Sequence, residues 1–152
     1  MAFARRLRVL VVDDCKDTVE SMAMLLDLWG YGTRTCCDGP AALEVARAYR
    51  PHVVLLDIKL PGMDGFEVAR RLCEPRGPSP PVLVAITARA VAACRLRAYE
   101  MGFAHYLIKP VDPDDLRGLL REMEGRPGLR ETTPDPVPLV MQGGRGWATR
   151  RA

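Results

Sequence analysis

Apolar residues fall along the chain in two alternating patterns. Runs at 8–13 (RVLVVD), 53–57 (VVLLD) and 81–86 (PVLVAI) are apolar apart from a terminal charge, which is the signature of parallel strands covered on both faces. Weaker runs at 31–37 (YGTRTCC) and 104–109 (AHYLIK) predict strands of edge type. Between the runs the spacing turns helical. Val19, Met22, Leu26 and Trp29 recur on one helical face and stop at Gly30 and Gly32. Pro40 opens a second helix that ends before Pro51, and Phe66, Ala69 and Leu72 mark a third. A fourth, about 90–101, is alanine-rich with a blurred apolar stripe. The fifth has Asp112 as N-cap, Pro113 in its first turn, and Leu116, Leu119, Leu120 and Met123 on one face.

Five strand–helix units in alternation predict an α/β fold: a doubly wound, five-stranded parallel sheet of order 2-1-3-4-5. The pattern breaks at Gly125. Residues 126–152 mix Pro, Gly, Thr and Arg without sustained periodicity. The expected division is a domain over 1–125 and a Pro/Gly/Arg-rich, disordered tail over 126–152.

The polar residues at the strand ends carry the chemistry. The first strand ends in Asp13-Asp14, the third in Asp57, the fourth runs into Thr87 and the fifth ends in Lys109. Their separations of 43, 30 and 22 residues correspond to two, one and one strand–helix units. In an open doubly wound sheet, ligands bind at the carboxyl ends of the strands where the topology changes direction. Strands one and three are neighbours there, so three carboxylates, a hydroxyl and an ammonium should converge on one crevice. Adjacent carboxylates 4 Å apart repel by about 4 kcal/mol when half-buried, against about 1 kcal/mol in water. A cation turns that repulsion into a binding site. Three carboxylates against Lys109 leave a deficit of charge that a hard divalent ion with oxygen ligands answers, and Mg²⁺ suits a site of few carboxylates. Asp57 beside the metal would be free to act as a nucleophile on a phosphoryl group, with Thr87 and Lys109 orienting its oxygens.

Composition narrows the class. The chain has 152 residues, 48% of them hydrophobic and 27% charged, as in one globular domain with a tail. No apolar run approaches membrane-spanning length and the N-terminus is no signal peptide, so a cytoplasmic protein is expected. Five cysteines (15, 36, 37, 73, 94) include no C-x-x-C pair. Reduced thiols are therefore expected rather than a disulfide framework or a zinc site. The net charge of +3 lies in the tail, which has five arginines and two acids; residues 1–125 carry 17 charges of each sign. A neutral body argues against direct DNA binding through a basic face. Only three of the 22 basic residues are lysines, at 16, 59 and 109, and all three sit at or just after strand ends. In so arginine-rich a chain, lysine at 109 fits a compact ammonium beside a phosphoryl group better than a planar guanidinium.

Together "VLVVDD", "VVLLDIKLPGMDGFEVARRL", "VLVAITA" and "GFAHYLIKPVDPDDL" resemble the receiver domains of bacterial two-component response regulators, over about residues 6–124. The resemblance implies Asp57 as phospho-acceptor, with Mg²⁺ held by Asp13, Asp14, Asp57 and the backbone carbonyl of Lys59. It implies Thr87 and Lys109 on the phosphoryl group, Tyr106 as an aromatic switch that follows Thr87 inward, and a cis Lys109–Pro110 peptide. The donor would be a sensor histidine kinase or a histidine phosphotransfer protein. No separate substrate would turn over; the only chemistry would be self-phosphorylation from a donor and autodephosphorylation at Asp57. Lys59 and Arg89, each two positions past a site residue, would modulate that dephosphorylation. The 27-residue tail is too short for an appended DNA-binding domain. A stand-alone regulator signalling to a protein target through about 90–124 is therefore expected, with alternatives in a phosphorelay intermediate or the partner of a hybrid kinase. A remoter alternative on the same fold is a flavodoxin-like FMN module, although "DDCKDT" is a poor cradle for a phosphate.

Overall fold

The computed structural model describes residues 6–74, 80–88, 92–125, 139–142 and 145–149. In chain order the elements are β1 (Arg8–Val12), α1 (Lys16–Leu28), β2 (Gly32–Cys36), α2 (Gly39–Tyr49), β3 (Val53–Asp57), α3 (Gly65–Leu72), β4 (Val82–Thr87), α4 (Ala92–Glu100), β5 (His105–Ile108), α5 (Pro113–Glu124), β6 (Leu139–Gln142) and β7 (Arg145–Thr149). The first five strands are parallel in the order β2-β1-β3-β4-β5. This is the doubly wound sheet that the apolar runs predict.

Those runs are uninterrupted because successive strand residues point to opposite faces and both faces are covered. Val9, Val11, Val53, Leu55, Val84 and Ile86 pack with Val19 and Leu26 of α1 and Leu116, Leu119 and Leu120 of α5. Leu10, Val12, Val54, Leu56, Leu83 and Ala85 pack on the other face with Ala42 of α2, Phe66, Val68 and Ala69 of α3, and Ala98 of α4. Three helices begin at aspartate caps. Asp38 accepts from the Ala41 N–H at 2.8 Å, Asp64 from Glu67 at 2.9 Å and Asp112 from Asp114 at 2.8 Å, each satisfying a donor the first helical turn leaves free. At the far end of α2 the Arg8 guanidinium donates to the carbonyls of Tyr49 and Arg50 at 3.0 and 2.6 Å, placing a cation at the negative end of the helix.

Two sequence expectations need correcting, one of them for part of the chain only. Of the tail expected to be disordered, residues 126–138, 143, 144 and 150–152 lie outside the described residues, while 139–142 and 145–149 form strands that lengthen the sheet. β6 runs parallel to β5 and β7 antiparallel to β6, giving a seven-stranded sheet among the described residues. For the same reason β5 is not an edge strand, and His105, Tyr106 and Leu107 are buried. The physical cause is an open row of backbone donors and acceptors along β5, which a short apolar run can satisfy. Leu139-Val140-Met141 is such a run, and Gly143-Gly144 follows it in the sequence, a pair that hairpin connections favour.

Candidate functional site

Because the strands are parallel, their carboxyl ends share one edge of the sheet, and the polar residues collect there. Asp13 follows β1, Asp57 and Thr87 are the last residues of β3 and β4, and Lys109 follows β5. Asp13, Asp57 and Thr87 are buried, whereas Asp14 is exposed. One carboxylate oxygen from each of Asp13, Asp14 and Asp57 lies within 4.8 Å of the others. Lys109 Nζ donates to Asp13 Oδ2 at 2.6 Å and to Asp57 Oδ2 at 3.0 Å. The structure therefore unites four of the residues singled out at the strand ends, and β4 brings Thr87 to the same edge.

The backbone fixes each carboxylate. The Cys15 N–H donates to Asp13 Oδ1 and the Lys59 N–H to Asp57 Oδ1, both at 2.9 Å. The Lys109 N–H in turn donates to the Thr87 carbonyl at 2.8 Å. The Lys109–Pro110 peptide is cis. Burial pushes the Asp57 carboxyl above its usual range, while the Lys109 hydrogen bond pulls it back in part. For Lys109 burial acts downward, but the bonds to Asp13 and Asp57 outweigh it and the ammonium ends above its ordinary value. The two carboxylates thus favour the charged form of Lys109, and the ammonium offsets part of what burial does to Asp57.

The donor set tests the metal reading. Three carboxylates converge, the Lys109 ammonium touches two of them, and among the described residues no sulfur or imidazole joins the cluster. Hard oxygen donors with one exposed carboxylate open to water fit Mg²⁺ rather than a soft or strongly nitrogen-seeking ion.

Tyr106 is fully buried on the α4 side of the sheet, with Phe103 and Ala98 in the same cluster. Lys59 is exposed, its N–H on Asp57 being the contact that ties it to the site. Arg89 lies outside the described residues. Sequence reasoning missed Gly65. A Cβ there would stand 2.5 Å from Ile58 Cα and 2.6 Å from the Asp57 carbonyl, and its N–H donates to the Ile58 carbonyl at 2.8 Å. The signal was present as the glycine after Asp64, but only the fold shows that the start of α3 lies against the backbone of Asp57.

Residues 9–121 match the family model described as the response regulator receiver domain. The chain belongs to that family. The receiver is 37% identical over 129 residues to the response regulator MprA of Mycolicibacterium vanbaalenii, covering 85% of this chain and 53% of that protein. To the DNA-binding response regulator MtrA of Mycolicibacterium smegmatis it is 37% identical over 126 residues, 80% of this chain and 54% of that one. The chain thus spans about half the length of these curated relatives. Among solved structures, a CheY-like receiver domain protein from Methanospirillum hungatei superposes with a TM-score of 0.72 at 26% identity, over 78% of this chain and 94% of that one. The BeF3-activated N-terminal receiver domain of Klebsiella pneumoniae RstA gives 0.71 at 27% identity, over 78% and 99%. Family membership displaces the flavodoxin-like FMN alternative. Among the described residues no helix is long and apolar enough to cross a membrane.

Proposed function

We propose that the receiver accepts a phosphoryl group on Asp57 from a phosphohistidine of a sensor kinase or phosphotransfer protein, with Mg²⁺ bound at Asp13, Asp14, Asp57 and the Lys59 carbonyl. The observation that carries this reading is the buried Asp57 carboxylate, held on one oxygen by the Lys59 N–H and on the other by Lys109. So fixed, the carboxylate is presented to an incoming phosphorus atom without a search over rotamers. One carboxylate oxygen forms the bond to phosphorus as the donor's P–N bond breaks; the leaving nitrogen keeps the electron pair and takes up a proton. Mg²⁺, when bound, supplies positive charge that offsets the phosphoryl oxygens. Lys109 can transfer a hydrogen bond from Asp57 to a phosphoryl oxygen, and the Thr87 hydroxyl, one strand away, supplies another.

The signal follows from the charge added at Asp57. Movement of Thr87 toward the phosphoryl group favours the state in which Tyr106 is buried, so a two-state equilibrium in β4, β5 and α4 is biased. Output then passes by protein–protein contact through about 90–124. Direct DNA binding by residues 1–125 is not part of this reading, since their charges balance. The receiver acts in the cytoplasm and turns over no separate substrate.

Acetyl phosphate with Mg²⁺ tests the proposal. Intact-mass measurement should show one added phosphoryl group, mapping to the peptide that contains Asp57, and EDTA or Asp57→Asn should abolish it. Modification that survives Asp57→Asn overturns the assignment.

A further inference from the structure

We infer that Arg97 is a positioning residue that latches α4 to the phosphorylation end of the sheet through the ring of Phe66. This rests on the phosphoryl-acceptor reading and adds to it the contact that ties the helix to the site.

The α4 helix offers the core a narrow face. From residue 93 to 100 Ala98 is fully buried and Tyr99 packs part-buried on the same cluster, while Leu96 is 60% exposed. On a helix with so narrow an apolar stripe, a single contact from a neighbouring position carries a larger share of the anchoring. The guanidinium of Arg97 lies over the Phe66 ring, 4.3 Å from its centroid, within the range of a cation–π contact. Phe66 is itself buried and meets Phe103 edge to face, with centroids 6.2 Å apart and planes at 89°.

Both rings lead to the site. Phe66 follows Gly65, the residue that lies against the backbone of Asp57 and Ile58. Phe103 shares its buried cluster with Tyr106 and Ala98. The stack Arg97–Phe66–Phe103 therefore ties α4 and the approach to β5, both within the region biased by charge at Asp57, to the start of α3. In the latched arrangement Tyr106 is fully buried, which is the state phosphorylation favours. Latch and phosphoryl group then pull the same way, and linkage requires that each strengthen the other.

Beryllofluoride with Mg²⁺ serves as the probe, titrated against the full chain as wild type, R97K and R97M. Met keeps the reach and apolar stem of arginine but carries no charge. R97M should weaken beryllofluoride binding threefold or more, leave Mg²⁺ affinity without beryllofluoride unchanged, and speed amide exchange over residues 93–100. R97K should restore most of the affinity. Equal beryllofluoride affinity in R97M and wild type overturns the latch alone, as does failure of R97K to differ from R97M. Wild type that binds Mg²⁺ but no beryllofluoride overturns the acceptor reading and the latch together.

Discussion

The ammonium nitrogen of Lys109 stands 3.0 Å from Asp57 Oδ2, although 52 residues separate the two in the chain. The same nitrogen is 2.6 Å from Asp13 Oδ2, so one point charge joins the ends of three strands. A guanidinium has its donors fixed in a plane and cannot take the same position. Lys109→Arg is expected to fold yet lose most phosphorylation from acetyl phosphate. Lys109→Met leaves the carboxylates to repel; the lysine is 28% exposed, so the loss is about 1–2 kcal/mol rather than the larger value for a fully buried pair. Urea denaturation with and without Mg²⁺ measures it. The deficit should shrink when Mg²⁺ is added, and a Mg²⁺-independent deficit would count against a shared cation site.

Gly65 offers a test of backbone contact with the acceptor. A methyl group there would come within 2.6 Å of the Asp57 carbonyl, and backbone cannot move aside as a flexible side chain does. Gly65→Ala should destabilise the fold by about 1–3 kcal/mol, as overpacking does. It should also weaken beryllofluoride binding by displacing Asp57. A variant with wild-type stability and wild-type binding would show that the start of α3 can shift freely, contrary to its hydrogen bond to Ile58.

The site was readable in the sequence because its residues occupy one kind of position, the carboxyl end of a buried strand. Asp13, Asp57, Thr87 and Lys109 each follow or close an apolar run, and parallel pairing leaves them one common edge. Asp112 was readable as a cap because Pro113 and a strong apolar face follow it. Gly65 was not, since its meaning lies in how closely α3 approaches β3, a distance absent from any local pattern. Nor was the contact of Arg97 with Phe66, 31 positions apart on different helices. β6 stayed hidden for a different reason. Four residues among prolines and glycines carry almost no periodicity, and what stabilises them is the open edge of β5, a property of the finished sheet.

Under the proposal that Lys59 and Arg89 modulate dephosphorylation, the lifetime of the phosphorylated form depends on both. Lys59 is exposed and its N–H already holds Asp57 Oδ1, so its side chain starts at the mouth of the site. A cation there can pair with phosphoryl oxygens and crowd the approach of water to the acyl phosphate. Replacing both cations, as Lys59→Asn with Arg89→Glu, should therefore shorten the lifetime measured by decay of the phosphorylated mass. An unchanged or longer lifetime would sink the idea.

Tyr31 should make the fold sensitive to alkali. It is 5% exposed, in the cluster formed with α1 and α5. Burial pushes its phenol up to about 12, helped by the charge and hydrogen bond of Glu124 and opposed by Arg121 and Arg117. The folded protein thus keeps a proton that the unfolded chain releases near the ordinary tyrosine pKa of about 10. Stability from this group is complete below that value and is lost as pH rises toward 12, with a slope of at most about 1.4 kcal/mol per pH unit. Tyr31→Phe removes the titration along with the hydrogen bond, so it should be less stable than wild type at pH 8 by about 0.5–1.5 kcal/mol. Urea midpoints of the two proteins should then converge as pH rises above about 10. All other titrating groups are common to both, so the difference isolates Tyr31, and a gap that stays constant to high pH would mean its phenol ionises alike in the folded and unfolded chains.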